Sequence, residues 1–210
     1  RSRCFSGAMR ERTEKLEGAV YGKSDVKNKE LRIKSGRKLL IAFARVAITL
    51  MFFACVLFIW HNSVESAAES SSRSGRVTEA INEVLASVGG GAVTEHFIRK
   101  LAHFSEYGLE GVLTVLLFMV YCLKPQEESG GASYCLKPQK RFRAILLTGL
   151  FTATIDESIQ FFSAGRSPGV GDVCIDMAGF VCGVLLMQAV CYIARIWRAR
   201  GTAGLSGTDG

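Results

Sequence analysis

One short stretch of the sequence brings an ammonium group, an imidazole, a phenol and two carboxylates together at helical spacing. Lys100, His103, Tyr107 and Glu110 follow an i, i+3, i+7, i+10 pattern and would share one face of a helix, with Glu106 beside them. A histidine next to a carboxylate can act as a general base, and a lysine can bind a phosphate or carboxylate group. The residues that follow are apolar, which is typical of a membrane-spanning helix that lines a wet cavity at one end.

A second set of ionisable residues lies further along the chain, at the end of one apolar segment and the start of the next. Its members are acids and an amide around a single arginine: Asp156, Glu157, Gln160, Arg166, Asp172 and Asp176. A charged side chain at the centre of a membrane helix costs roughly 2.5–3.5 kcal/mol, so these groups must pair with one another or reach water. Asp176 lies deepest in its segment, and we expect Arg166 or Lys100 to be its partner.

The elements that must position these residues are four apolar segments, each near the roughly 20 residues that a hydrocarbon core requires. They lie at about residues 39–60, 101–123, 144–162 and 173–194. A soluble helical bundle would show a polar stripe along each helix, and the most apolar parts of these segments show none. The sequence therefore predicts an all-α membrane protein, built as a bundle of four transmembrane helices.

Charge predicts the orientation of the bundle. Twenty of the 26 Lys and Arg residues lie before the first span, between the second and third, or after the fourth. Only five lie in the other two loops, residues 61–100 and 163–172. Because basic loops stay inside, both termini should be cytoplasmic and both sets of ionisable residues should lie at the outer face. The net charge of +7 then reflects topology rather than nucleic-acid binding, since no basic stretch is interleaved with aromatic residues.

The predicted organisation is a membrane domain between two tails. Residues 1–38 form a basic cytoplasmic tail with little fixed structure, residues 39–197 the membrane domain, and residues 198–210 a flexible tail. The seven cysteines include no CxxC pair and no Cys/His zinc spacing. Neither a metal ion nor a cofactor is therefore expected.

The two polar stretches resemble the motifs of the VanZ family, which is named for a protein associated with teicoplanin resistance. The resemblance covers roughly residues 40–195. Its matching positions are Lys100, His103, Glu106, Tyr107, Gly108, Asp156, Glu157, Gln160, Arg166, Asp172, Asp176, Gly179 and Gly183. Family members usually have Asn or Asp where Asp176 stands, and an apolar residue where Glu110 stands.

The resemblance implies a multi-pass protein of the bacterial cytoplasmic membrane that acts in the cell envelope and, in some relatives, lowers susceptibility to glycopeptides such as teicoplanin. Together with the residue pattern it predicts an outward-facing polar pocket for a cell-wall precursor or a glycopeptide antibiotic. The predicted ligand-binding residues are Lys100, His103, Glu106, Tyr107, Asp156, Glu157, Gln160, Arg166, Asp172 and Asp176. Besides that ligand, the lipid bilayer is the one expected partner, and the oligomeric state stays open.

The alternative is a membrane-embedded hydrolase or transferase that acts on a lipid-linked phosphate. His103 would be its general base, Glu106 or Asp156 would orient the imidazole, and Arg166 would stabilise phosphate charge. The clustered carboxylates of Asp156, Glu157, Asp172 and Asp176 would also suit a hard divalent cation. Because the sequence shows no serine or cysteine nucleophile motif and no established metal-ligand spacing, we favour the binding protein, and the question of catalysis stays open.

Overall fold

The protein is all helical over the part of the chain that the structure, a computed structural model, describes: residues 2–122, 137–166 and 169–205. Its five helices in chain order are α1 (Ser2–Val64), α2 (Ala67–Ser87), α3 (Glu95–Cys122), α4 (Pro138–Phe162) and α5 (Val170–Leu205). These ranges contain no strand. The all-α fold class that the sequence predicts is confirmed.

Both predicted tails contain helix. α1 begins at Ser2, where we expected a basic tail with little fixed structure, and α5 continues to Leu205, past the predicted end of the membrane domain. The N-terminal segment contains no proline, and 16 of its first 38 residues are Lys, Arg or Glu, which are good helix formers. Residues up to 44 belong to one compact unit, and the helices from Arg45 onward make up a second unit that contains all the candidate site residues.

Three helical segments are long and apolar enough to cross a membrane: Asn28–Val64, Glu95–Cys122 and Val170–Arg200. They correspond to the first, second and fourth predicted spans. α4 does not reach the same apolarity, because threonines and the polar group Asp156, Glu157 and Gln160 interrupt its sequence. The crossing of α4 therefore stays a prediction.

The second unit has its large apolar side chains on the outside as well as in the core. Phe53, Phe151 and Leu186 are more than half exposed, and many other large apolar side chains of α1, α4 and α5 are also exposed. Several carboxylates, in contrast, are fully buried. A soluble protein rarely exposes large contiguous apolar surfaces, so this arrangement indicates that the outer surface contacts lipid.

The closest contact in the fold is between α3 and α5, which run parallel. A Cβ added at Gly183 would overlap the main-chain carbonyl of Gly108, and one added at Gly179 would overlap the carbonyl of Phe104. From the other side, Gly111 has no room for a Cβ beside the carbonyl of Phe180. The small-xxx-small pair of α5 therefore serves packing within the bundle, where small residues let two backbones approach closely.

α1 runs antiparallel to α3 and closes the bundle through side-chain contacts. At one end, Arg45 Nε donates to the carbonyl oxygen of Val120 at 3.1 Å, and its guanidinium lies 5.5 Å from the ring centre of Tyr121. Towards the other end, Trp60 Nε1 donates to the carbonyl oxygen of Thr152 at 3.4 Å, which ties α1 to α4. α4 packs against α5 where the Phe180 ring covers Gly149.

α2 covers the end of the bundle at which α1 finishes. Its first turn is held by a capping box, in which Ser66 accepts from the amide of Glu69 and the Glu69 carboxylate accepts from the amide of Ser66. The Ser66 hydroxyl, and after it the Ser66 amide, donate to the Glu69 carboxylate and hold its pKa below the usual value. Ser70, Ser74 and Thr78 are buried one turn apart and form the face that packs towards α3.

The α3–α5 contact leads to the first prediction. We expect Gly183→Leu to lower the free energy of unfolding in detergent by at least about 1 kcal/mol, because the added side chain would separate the two backbones. Gly75→Ala in α2 is the control, since nothing lies within 4 Å of its added Cβ, and it should stabilise the helix by up to about 1 kcal/mol. Unchanged thermal unfolding of the Gly183 variant would contradict the close packing.

Candidate functional site

A polar cavity of about 190 Å³ opens where α3 and α5 begin and α4 ends. The loop between α4 and α5 forms one wall, and the start of α2 contributes Ala67. Of the ten predicted ligand-binding residues, seven line it: Lys100, His103, Glu157, Gln160, Arg166, Asp172 and Asp176. The structure thus brings both polar stretches of the sequence to one place.

The ion pairs across the α3–α5 contact differ from the expected ones. Lys100 Nζ lies 3.1 Å from Asp172 Oδ1, and both side chains are partly exposed. Asp176 instead faces His103, whose Nδ1 lies 3.9 Å from Asp176 Oδ1. The expectation that Lys100 or Arg166 pairs with Asp176 was wrong, because the parallel register of the helices places the lysine opposite the first acid of α5 and the histidine opposite the second.

Asp156 lies beneath the cavity and has no solvent exposure. Its Oδ2 accepts from Gln160 Nε2 at 3.0 Å, and the same amide nitrogen lies 3.3 Å from Ser63 Oγ at the end of α1. Gln160 therefore orients the carboxylate rather than only lining the cavity. Asp156 also lies close to His103 and Asp176.

The remaining two predicted residues lie deeper along α3. Glu106 lines a neighbouring cavity of about 260 Å³, and its Oε1 accepts from Asn62 Nδ2 at 3.0 Å. Tyr107 is fully buried in the bundle core and lines neither cavity. Glu110, which shares its face, is also fully buried. The polar face of α3 thus continues into the interior of the protein.

Arg166 lies between the two cavities and helps to line both. Its guanidinium donates to the main-chain carbonyl oxygen of Asn62 at 3.2 Å. Burial lowers the pKa of this guanidinium and the nearby Arg99 lowers it further, although the Asp156 carboxylate acts in the opposite direction. Gly165 beside it has φ +76°, a left-handed conformation that glycine adopts without strain.

Glu157 fixes the end of the loop that follows Arg166. Its Oε2 accepts from the main-chain amide of Gly169 at 3.1 Å, just before α5 begins. Ser163 adds a contact at the other end of the loop, where its hydroxyl donates to the carbonyl oxygen of Ser63 at 2.7 Å. These bonds attach Gly169 to α4 and Ser163 to α1 on either side of the cavity residues Gly165 and Arg166.

Several residues of this region were not among the predicted site residues. Arg99 lines both cavities, His96 lines the first, and Asn62 binds both Glu106 and Arg166. Arg99 and His96 lie four and seven residues before His103, at helical spacing, so a predicted α3 that began earlier would have indicated them. Asn62 gives no such signal, because its role depends on where the end of α1 meets α3.

Three groups in this region are placed as metal ligands would be. His103, Asp156 and Asp176 offer ligand atoms that all lie within 4.8 Å of one another. Asp172 and Glu157, which the sequence also suggested for a cation, are engaged with Lys100 and with the amide of Gly169.

The comparison with protein families agrees with the motifs that form the cavity. The family description VanZ/LLP1 matches residues 45–193, from the start of the second unit to the apolar part of α5. The chain belongs to the VanZ/LLP1 family. Neither a curated protein nor a solved structure matches it.

The family domain includes every residue that lines the first cavity, and together with the membrane-like helices it identifies a VanZ-like membrane protein. Residues 1–44 lie outside the matched range. Glu110 lies within the matched range and is fully buried.

The contact of Asn62 with Glu106 leads to the second prediction. Asn62→Ala should lower the free energy of unfolding by about 1–3 kcal/mol, because it leaves a buried carboxylate oxygen without its donor. Ser105→Ala is the control: its exposed hydroxyl donates to the carbonyl of its own helix, and we expect a change within about 0.5 kcal/mol. Equal stabilities of the two variants in detergent unfolding would show that the Asn62 contact is not important.

Proposed function

We propose that this VanZ-like protein crosses the bacterial cytoplasmic membrane four times, with both termini in the cytoplasm and the polar cavity at the outer face. The support is an agreement between two independent patterns. The ends of α1 and α4 meet the starts of α3 and α5 around the cavity, as alternating spans require. The basic residues Lys140, Arg143 and Arg195 belong to the opposite ends of α4 and α5, as the positive-inside rule requires.

We further propose that the cavity binds the anionic group of an envelope ligand, either a lipid-linked cell-wall precursor or a glycopeptide antibiotic. The observation that carries this proposal is that Arg166 has no charged partner in the part of the chain that the structure describes. Among the described residues no carboxylate forms an ion pair with it, and its bonded partner is a neutral carbonyl. A partly buried guanidinium near a second arginine is stabilised by a bound phosphate or carboxylate, which it can engage through two parallel hydrogen bonds.

The cavity suits a group attached to a lipid. It opens between helix ends beside an apolar outer surface, so the chain of a lipid-linked molecule could stay in the bilayer while its head group enters. Lys100 is already paired with Asp172, and Arg166 is therefore the cation we expect to bind the ligand. In a cell, such binding would lower susceptibility to teicoplanin by changing how much precursor or drug is free.

The alternative activity, hydrolysis or transfer on a lipid-linked phosphate, has one observation in its favour: His103 lies next to both Asp176 and Asp156, as a base with an orienting carboxylate does. Among the described residues the lining of the first cavity contains no serine, threonine or cysteine. A covalent intermediate on such a side chain is therefore not supported. Release of phosphate from a panel of lipid phosphates and diphosphates by the purified protein would favour this alternative over binding alone.

The topology gives the third prediction. In a background without the seven native cysteines, a membrane-impermeant maleimide should label Glu79→Cys in intact cells, and should label Lys140→Cys and Arg200→Cys only after permeabilisation. All three positions are exposed. Labelling of Arg200→Cys from outside, with Lys140→Cys protected, would mean that α4 does not cross and would contradict the four-span arrangement.

The proposed role of Arg166 as the cation that binds the ligand leads to the fourth prediction. Arg166→Gln should weaken binding of a polyprenyl diphosphate to the protein in nanodiscs by roughly 10- to 100-fold, the loss expected for charge-assisted hydrogen bonds. Arg76→Gln, an exposed arginine of α2 outside both polar cavities, is the matched control and should bind like wild type.

The same pair of variants can be tested in cells. A strain that expresses Arg166→Gln should be as sensitive to teicoplanin as the deletion strain, and one that expresses Arg76→Gln should be as resistant as wild type. Equal binding and equal resistance of both variants would contradict a role of the cavity.

A further inference from the structure

Three potential ligand atoms converge beneath the polar cavity, each from a different helix. They are a ring nitrogen of His103 on α3, a carboxylate oxygen of Asp156 on α4 and a carboxylate oxygen of Asp176 on α5, all within 4.8 Å of one another. Both carboxylates are deeply buried, with exposed fractions of 0% for Asp156 and 2% for Asp176. Side chains from three helices thus offer ligand atoms to one point in the interior.

Each of the three residues has a buried polar atom without a hydrogen-bond partner. These atoms are His103 Nδ1, Asp156 Oδ1 and Asp176 Oδ2. Buried polar groups are normally satisfied, and a lone unsatisfied one costs roughly 1–3 kcal/mol. The other oxygen of Asp156 is held by Gln160 at 3.0 Å, which orients the carboxylate in the way that outer hydrogen bonds orient metal ligands.

The charge of the cluster is only partly compensated. Two buried carboxylates face a single imidazole, and Lys100 is paired with Asp172. Arg166 lies near Asp156 but forms no ion pair with it, and its guanidinium donates to the carbonyl oxygen of Asn62. Buried charges are retained in proteins when they are paired or coordinate a metal ion. A divalent cation would balance both carboxylates.

We propose that His103, Asp156 and Asp176 bind one divalent transition-metal ion, Zn²⁺ or Mn²⁺. An imidazole nitrogen together with carboxylate oxygens suits these ions, whereas Mg²⁺ and Ca²⁺ favour sites made of oxygen alone. Ligand atoms about 2.1 Å from one tetrahedral ion lie about 3.4 Å from one another, so the most widely separated of these atoms would approach by up to about 1.4 Å when the ion binds.

The ligand set explains why the sequence did not indicate this particular metal site. Its members lie far apart along the chain, so no short spacing reveals them. The four acids that the sequence suggested for a hard cation are divided, because Asp172 and Glu157 have partners elsewhere. With three protein ligands, two of which line the cavity, the ion keeps a position on the cavity side for water or a ligand oxygen.

The metal alone is the probe in the test, so the result does not depend on the proposed binding of an envelope ligand. The full chain is purified in detergent, stripped with EDTA and titrated with Zn²⁺, Mn²⁺, Mg²⁺ and Ca²⁺, with bound metal and thermal unfolding as readouts. We expect one equivalent of Zn²⁺ or Mn²⁺ and a raised unfolding temperature. With Co²⁺ as a spectroscopic substitute we expect visible absorption bands from a site with a nitrogen ligand.

The variants identify the ligands. Asp176→Asn and His103→Gln should each weaken metal binding by at least about 100-fold, and removing the Gln160 contact by Gln160→Ala about 10- to 100-fold. Glu79→Gln, which changes an exposed carboxylate of α2, and His61→Gln, which changes an exposed histidine of α1, should leave binding unchanged. The proposal is overturned if wild-type protein binds no stoichiometric metal, or if Glu79→Gln weakens binding as much as Asp176→Asn. Since the wild-type titration and Co²⁺ spectrum need no variant, a variant that fails to fold does not prevent a decision.

Discussion

The close approach of α3 to α5 is the constraint on which the rest of this structure depends. At Gly111, Gly179 and Gly183 the backbones are too near for any side chain to lie between them. The parallel register that this contact sets places Lys100 beside Asp172 and His103 beside Asp176. The cavity, its ion pair and the proposed metal ligands are therefore all consequences of where two helices can touch.

The distribution of polarity follows from the solvent that surrounds the protein. Phenylalanines and leucines cover the outside of the helices, and carboxylates lie within. In lipid, an acid on the outer surface would cost several kcal/mol, so the acids are gathered at one end of the bundle, where partners from other helices are available. Asn62 donates a hydrogen bond of 3.0 Å to the Glu106 carboxylate, and Gln160 donates one of 3.0 Å to the Asp156 carboxylate.

The sequence predicts the faces of single helices well and the relations between helices poorly. Helical spacing places His103 and Asp176 towards the protein interior, and the structure agrees, because periodicity follows from the geometry of one helix. The partner of Asp176 was predicted wrongly, since it depends on the register of two helices. α2 was not predicted, although Ser66 and Glu69 have capping-box spacing, because its buried face consists of small polar residues such as Ser70 and Ser74 rather than apolar ones.

The parallel contact of α3 with α5 also sets the order in which the protein can assemble. Because α4 lies between them in sequence, the glycine face of α3 has no partner until α5 has been synthesised. Until then Glu110, which the finished fold buries completely, must face lipid, water or the insertion machinery. Biogenesis of the bundle therefore ends with its last helix, and any chain cut short before Gly183 would lack the surface that completes the fold.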